Sequence, residues 1–131
     1  MSVVFLIVFS AQGFSQNEHL QALNQLMNPN VKFELSKKSM EIEFVKSGKV
    51  YRIDQFLLSE IDPATVRYDG EQSGVVLECM NFAPDCVYKR IMKTKSRDQY
   101  PRSLIPVENK SKGEEIAEHF RQLIGNDEDE K

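Results

Sequence analysis

The side chains best suited to covalent or metal chemistry are few in this 131-residue chain: 2 cysteines and 2 histidines. Cys79 and Cys86 lack the C-x-x-C spacing of a thioredoxin-like redox pair. An even pair in an exported chain reads first as a disulfide, with free thiols, a metal site and a nucleophile as the alternatives. A metal site needs further ligands. Only His19 and His119 are available, and they stand at opposite ends of the sequence. Cys79 precedes His119, the papain-like order, without any local motif to accompany it. His119 falls on the border of an apolar helical stripe and His19 beside Leu20, positions that suit boundary residues better than ligands.

Charge is concentrated in the segment 89–102. Lys89, Arg90, Lys93, Lys95, Arg97 and Arg102 are set against the single acid Asp98, a local balance of +5, with Tyr88 and Tyr100 flanking them. Cationic groups beside aromatic stacking surfaces suit an anionic glycan, a phosphate group or an acidic partner. The plainer reading is a solvated strand and a long loop. A third is the acidic tail folding back onto the patch, a contact that salt weakens. The chain has no Gly-rich phosphate loop, no HExxH and no GxSxG. Hydrolase or transferase chemistry therefore has no visible site, and the expectation is a non-enzymatic protein with no cofactor and no metal.

Composition bounds the compartment and the size. Net charge is −3, and the tail Asp127, Glu128, Asp129, Glu130, Lys131 accounts for all of it, leaving a neutral body that gives no reason to expect nucleic acid. Residues 3–9 (VVFLIVF) are apolar without interruption. That run is too short for a transmembrane helix, which needs about 20 residues. It fits the core of a signal peptide spanning residues 1–15, with cleavage after Gly13 or Ser15, although no Lys or Arg precedes it. A buried first strand is the competing reading. Export places the chain in the periplasm or outside the cell, in surroundings that favour a disulfide, and leaves one globular domain over residues 16–125.

The elements that would position these residues follow from periodicity. Residues 17–27 carry Leu20, Leu23, Leu26 and Met27 at helical spacing behind Asn17 as a cap, and Asn28, Pro29 and Asn30 stop the helix. Val31, Phe33 and Leu35, then Met40, Ile42 and Phe44, alternate with polar residues and predict two strands joined at Lys37 and Lys38. Ser47 and Gly48 turn into a third strand at 50–53. Strands are expected at 65–68, 75–80, 86–92 and 104–107. The pair 75–80 and 86–92 is read as a hairpin that sets Cys79 opposite Cys86, about 4.5–5.5 Å apart. Ser111 and Glu114 form a capping box before the stripe Ile116, Ala117, Phe120, Leu123, Ile124, with Gly125 as a left-handed cap and 126–131 as a disordered acidic tail.

The fold class is thus α+β and mainly antiparallel β: about seven short strands in a bent sheet or partly open barrel, a short N-terminal helix, and a C-terminal amphipathic helix packed on the sheet. Over residues 31–124 this order of elements resembles pleckstrin-homology-like domains, in which such a helix plugs a bent antiparallel sheet. The resemblance implies a binding module. In lipid-binding members the basic residues gather near the first hairpin, where this chain has Lys37, Lys38, Lys46 and Lys49. Inositol lipids are not expected outside the cytoplasm, so that carry-over is set aside. The expected function is an exported, non-catalytic binding or interaction domain, for an anionic ligand or an envelope protein. The alternative is a structural or accessory part of a cell-envelope assembly that docks through the N-terminal helix, and a more distant one is an enzyme of unrecognised type.

Overall fold

The computed structural model describes residues 15–129, with side-chain surroundings for 15–125. The expected export signal, apart from Ser15, lies outside the described residues, as do Glu130 and Lys131. The first helix, α1 (Gln16–Met27), starts one residue earlier than its apolar spacing suggests, because Ser15 rather than Asn17 caps it. The Ser15 hydroxyl accepts from the Glu18 N–H at 3.3 Å and the Glu18 carboxylate accepts from the Ser15 N–H at 2.9 Å, a complete capping box.

Strands β1 (Val31–Ser36), β2 (Ser39–Lys46) and β3 (Lys49–Leu57) form the expected antiparallel meander. Both turns are two residues long with positive φ at each position: Lys37 at 49° and Lys38 at 71°, then Ser47 at 52° and Gly48 at 76°. Such turns match the right-handed twist of the strands. At the first of them two lysines stand where glycine or asparagine is usual, a strain of roughly 1 kcal/mol per residue. Strand β3 is longer than its period suggests and runs through Gln55 and Phe56.

Beyond β3 the architecture departs from a simple succession. Among the described residues eight strands form two antiparallel sheets, one of order β1-β2-β3-β6-β7 and one of order β4-β5-β8, where β4 is Arg67–Asp69, β5 Gly74–Glu78, β6 Val87–Ile91, β7 Ser96–Tyr100 and β8 Arg102–Pro106. The sheets do not close into a barrel. The expected hairpin of 75–80 with 86–92 does not form, since β5 pairs with β4 and β8 while β6 pairs with β3 and β7. Cys79 and Cys86 are nevertheless bonded, with Cα atoms 5.8 Å apart, and the bridge ties one sheet to the other. Closing so short a loop stabilises the fold by roughly 2–3 kcal/mol.

All three passages of the chain between the sheets meet at Cys79. From β3 to β4 the chain passes Ile61, which forms a bridge with Cys79, and the Glu60 carbonyl accepts from the Met80 N–H at 2.8 Å. From β5 to β6 it passes the disulfide. From β7 to β8 it turns at Pro101, whose carbonyl accepts from the Cys79 N–H at 3.0 Å.

The second helix, α2 (Lys110–Asp129), packs against α1 and the second sheet and meets the first sheet through Phe33 and Phe120, whose rings stand edge-on with centroids 5.7 Å apart. Asn109 is its cap, accepting from the Lys112 N–H at 3.1 Å, in place of the expected Ser111. The helix continues through Gly125 to Asp129, so Gly125 is not a left-handed cap. Gly113 matters for close approach instead. A Cβ there would run into the Tyr68 ring, so its absence lets α2 settle onto β4. Leu23, Phe33, Ile42, Leu77, Ile116 and Phe120 are fully enclosed at the shared core, each contributing roughly 1.5–3 kcal/mol by burial.

Among these apolar residues Asp54 is also fully buried. Its carboxylate accepts from the Ser103 hydroxyl of β8 at 2.5 Å and from Arg52 Nη2 at 3.4 Å, and its other oxygen lies 3.0 Å from Arg52 Nε, close enough for an ion pair but off the line of a hydrogen bond. Arg52 Nη2 donates to the Leu104 carbonyl at 3.0 Å, and the guanidinium covers the Phe44 ring at 3.9 Å. This network joins β3 of one sheet to β8 of the other. Asp54→Ala is expected to destabilise the protein by about 3–5 kcal/mol by leaving Arg52 and Ser103 without their acceptor, and Asp54→Asn, which keeps an oxygen for Ser103, by less. Urea unfolding of both variants checks this; an alanine variant within about 0.5 kcal/mol of the native protein removes the network from the account of stability.

Candidate functional site

The basic segment is a hairpin, not a loop. β6 and β7 pair from Val87↔Tyr100 to Ile91↔Ser96, and residues 92–95 form the turn. β7 has no apolar alternation because it is an edge strand exposed over most of its length. Directly paired residues of an antiparallel ladder share a face, so the register sorts the expected binding residues.

Tyr88, Arg90 and Arg97 lie on the outer face, away from the core. Tyr88 is opposite Gln55, and Arg90 lies between Ile53 on one side and Arg97 on the other. Lys93 and Lys95 are exposed in the turn at the tip. Lys89 and Tyr100 occupy the opposite face, where the Lys89 ammonium sits 4.7 Å from the Tyr100 ring centroid and Lys89 pairs in register with Asp54 and Asp98. Arg102 belongs to the other sheet, opposite Glu78. The sequence cluster thus becomes an outer group of Tyr88, Arg90 and Arg97 with the turn lysines, and an inner group that runs into the buried Asp54 network.

The inner group is electrostatically strained. Burial pushes the Asp54 carboxyl above its ordinary value, against the opposing pull of Ser103, Arg52 and Lys89. Desolvation likewise lowers the Lys89 ammonium, while Asp54 raises it and Arg52 and Arg102 lower it further. Perturbed groups of this kind often mark reactive sites. Here Asp54 and Ser103 are fully buried and join β3 to β8, while Lys89 is half-buried and Tyr100 exposed.

Two grooves adjoin on the outer face and share Glu60, Cys86 and Tyr88. One, of about 320 Å³, includes Gln55, Leu57 and Arg97, and the other, of about 290 Å³, includes Ala83, Pro84 and Gln99. Leu57 and Tyr88 are 43% and 46% exposed, and Phe82, on the disulfide loop, 72%. A further concavity of about 460 Å³ opens between Met27, Phe44, Tyr51, Val107 and Lys112. None of the groups with shifted pKa lines it. No group of three or more His, Cys, Asp or Glu side chains able to hold a metal occurs among the described residues, and no described helix is long and apolar enough to cross a membrane.

The two histidines, far apart in sequence, are adjacent in the fold. His19 of α1 and His119 of α2 approach with Nδ1 atoms 2.9 Å apart and rings nearly perpendicular. One Nδ1 must donate and the other accept, so the contact requires at least one neutral ring. Periodicity does indicate that each helix has a buried stripe. It does not indicate that the two stripes meet at these residues, and that is what sequence reasoning missed. Comparison with known proteins adds no kinship: no family model, curated protein or solved structure matches the chain.

Burial, then the proximity of His119, lowers the His19 imidazolium from its ordinary value of 6.5, while Glu18 and Glu118 pull it up. A depressed folded-state value means that this contribution to stability is present above the unfolded value and lost as pH falls through the folded one. The unfolding free energy is therefore expected to decline as pH drops from about 7 to about 5, and His119→Gln to flatten that decline. Equilibrium unfolding at stepped pH tests it; an identical slope in the variant excludes the pair as the cause.

Proposed function

We propose that this protein is an exported, non-catalytic binding domain that receives an anionic ligand on the β6–β7 hairpin. One observation carries the reading: Arg90 and Arg97 stand directly opposite each other on the exposed outer face, and no carboxylate pairs with either among the described residues. Like charges in that relation repel and destabilise the ladder. An anion between them relieves the repulsion, and two guanidinium forks present donors for a carboxylate, sulfate or phosphate group. Tyr88 adds an exposed ring beside them, and Lys93 and Lys95 extend the positive field to the tip.

Export is supported by the apolar run at residues 3–9 and by the Cys79–Cys86 bridge, which persists in oxidising surroundings. A likeness to pleckstrin-homology-like domains belongs to the same proposal, supported by a C-terminal amphipathic helix closing antiparallel sheets. The reading as a cell-envelope component that docks through α1 draws no support from that helix, whose Leu23 and Met27 are buried in the core.

Substituting Glu at Lys93, Lys95 and Arg97 together is expected to abolish retention on an immobilised sulfated polyanion, with the thermal transition unchanged. Native protein should elute earlier as salt rises. Equal retention of native and triple-variant protein disposes of the basic hairpin as the binding surface. For export, cleavage after Gly13 keeps the Ser15 cap of α1, whereas cleavage after Ser15 removes a contribution of about 1 kcal/mol. The intact mass of protein from its native host is expected to match a chain beginning at Phe14 and carrying the disulfide. A mass that retains Met1 with both thiols reduced removes the export reading.

A further inference from the structure

The two sheets have four edges, β1 and β7 in one, β4 and β8 in the other. At three of them a side chain from another element occupies outward backbone groups. The Asn24 carboxamide donates to the Phe33 carbonyl at 3.0 Å and accepts from the Phe33 N–H at 2.8 Å, closing β1 as a neighbouring strand would. Arg52 holds the Leu104 carbonyl of β8, and Arg121 Nε donates at 3.2 Å to the carbonyl of Val66, which leads into β4.

β7 is treated differently. The Met92 N–H donates to Tyr51 at the end of β3, so by strand alternation residues 88 and 90 also face β3, and residues 87, 89 and 91 face β7. Their partners Tyr100, Asp98 and Ser96 then point inward, which turns the N–H and C=O of Arg97 and Gln99 to the outside. The Pro101 carbonyl, next in that outward series, is taken by Cys79, and the free stretch ends there. Among the described residues nothing bonds the outward groups of Arg97 and Gln99. This bare edge adjoins the unrelieved Arg90–Arg97 pair, Lys93 and Lys95.

We propose that β7 is a docking edge that takes an extended segment of a partner protein, alternating acidic and apolar residues, as an added strand. Main-chain bonds to Arg97 and Gln99 supply the pairing. Side chains of an added strand alternate between faces. Its acids would lie on the outer face beside Arg97 and Arg90, and its apolar residues on the face of Asp98 and Tyr100, where further acid is not wanted. The proposal rests on the anionic-ligand reading of the same hairpin and adds to it a backbone requirement that a free anion or a glycan does not have.

A synthetic peptide of alternating Glu and Val serves as the probe, together with two versions N-methylated at alternate residues, one on the glutamates and one on the valines. Full-length native protein should bind the parent peptide, and one of the two methylated forms at least about tenfold more weakly, since only one set of amides faces β7. Gln99→Pro removes an outward N–H and no ladder bond, but also the Gln99 Nε2 bond to the Asp85 carbonyl. It should lose the peptide and keep its retention on the sulfated polyanion, while Gln99→Ala, which loses the same side-chain bond and keeps the N–H, should bind the peptide as the native protein does. Equal binding of the parent and both methylated peptides, or full binding by Gln99→Pro, overturns strand addition and leaves the anion site standing. Peptide and polyanion binding that both survive charge reversal at Lys93, Lys95 and Arg97 overturns the two readings together. Binding of the polyanion with none of the peptide overturns strand addition alone.

Discussion

Two sheets that share no strand pair must be joined by other means, and in this protein the joining is concentrated at Cys79. Its sulfur is bonded to Cys86, its N–H to the Pro101 carbonyl, and it forms a bridge with Ile61. Each contact belongs to a different passage of the chain from one sheet to the other. A short covalent loop restricts the unfolded chain as well as the folded one, so this junction limits the arrangements the later strands can adopt. The buried Arg52–Asp54–Ser103 network is the second joint, made from polar groups in a low-dielectric interior. The carboxylate is desolvated there, and the network tolerates it only because Arg52, Lys89 and a hydroxyl converge on it.

These joints determine which parts of the molecule are free to carry a function. The β6–β7 hairpin is anchored at its Cys86 and Pro101 end and projects its turn away from the anchor. Its outer face lies on the open side of a sheet whose other side meets the core, so packing places no demand on Arg90, Arg97 or the turn lysines. Surface positions without a packing role accept charge at little expense in stability. That four cations collect here, including two in direct opposition, therefore calls for a reason outside the fold.

The helical side of the domain follows other rules. α1 and α2 lie against each other with Leu23, Phe120 and Leu123 fully buried, and the His19–His119 contact is a polar pair at the edge of that interface. A hydrogen bond between the two imidazoles survives with one ring protonated but not with both, because the second proton removes the acceptor. The junction of the helices is thus coupled to protonation in the pH range where histidine titrates, while the disulfide at Cys79 carries no titrating group.

Local chemistry was enough to foresee the elements made from contiguous, half-buried sequence: α1, the β1-β2-β3 meander with both two-residue turns, the stripe of α2, and a bridge between Cys79 and Cys86. Alternation with period two or 3.6 is imposed by one buried face, and each of those segments has one. β7 escaped notice because both its faces are open, and a strand without a buried face leaves no period. The caps Ser15 and Asn109 each lie two residues before the position that spacing indicates, since several neighbouring side chains are chemically able to cap and only backbone geometry selects among them. The strands around the disulfide read from sequence as one hairpin because covalent proximity and strand pairing impose the same short distance, and spacing along the chain cannot separate the two. The burial of Asp54, the meeting of His19 with His119, and the division of the basic residues between two faces arise from contacts between elements distant in sequence. Tertiary packing decided them, for no local pattern carries the register of one element against another.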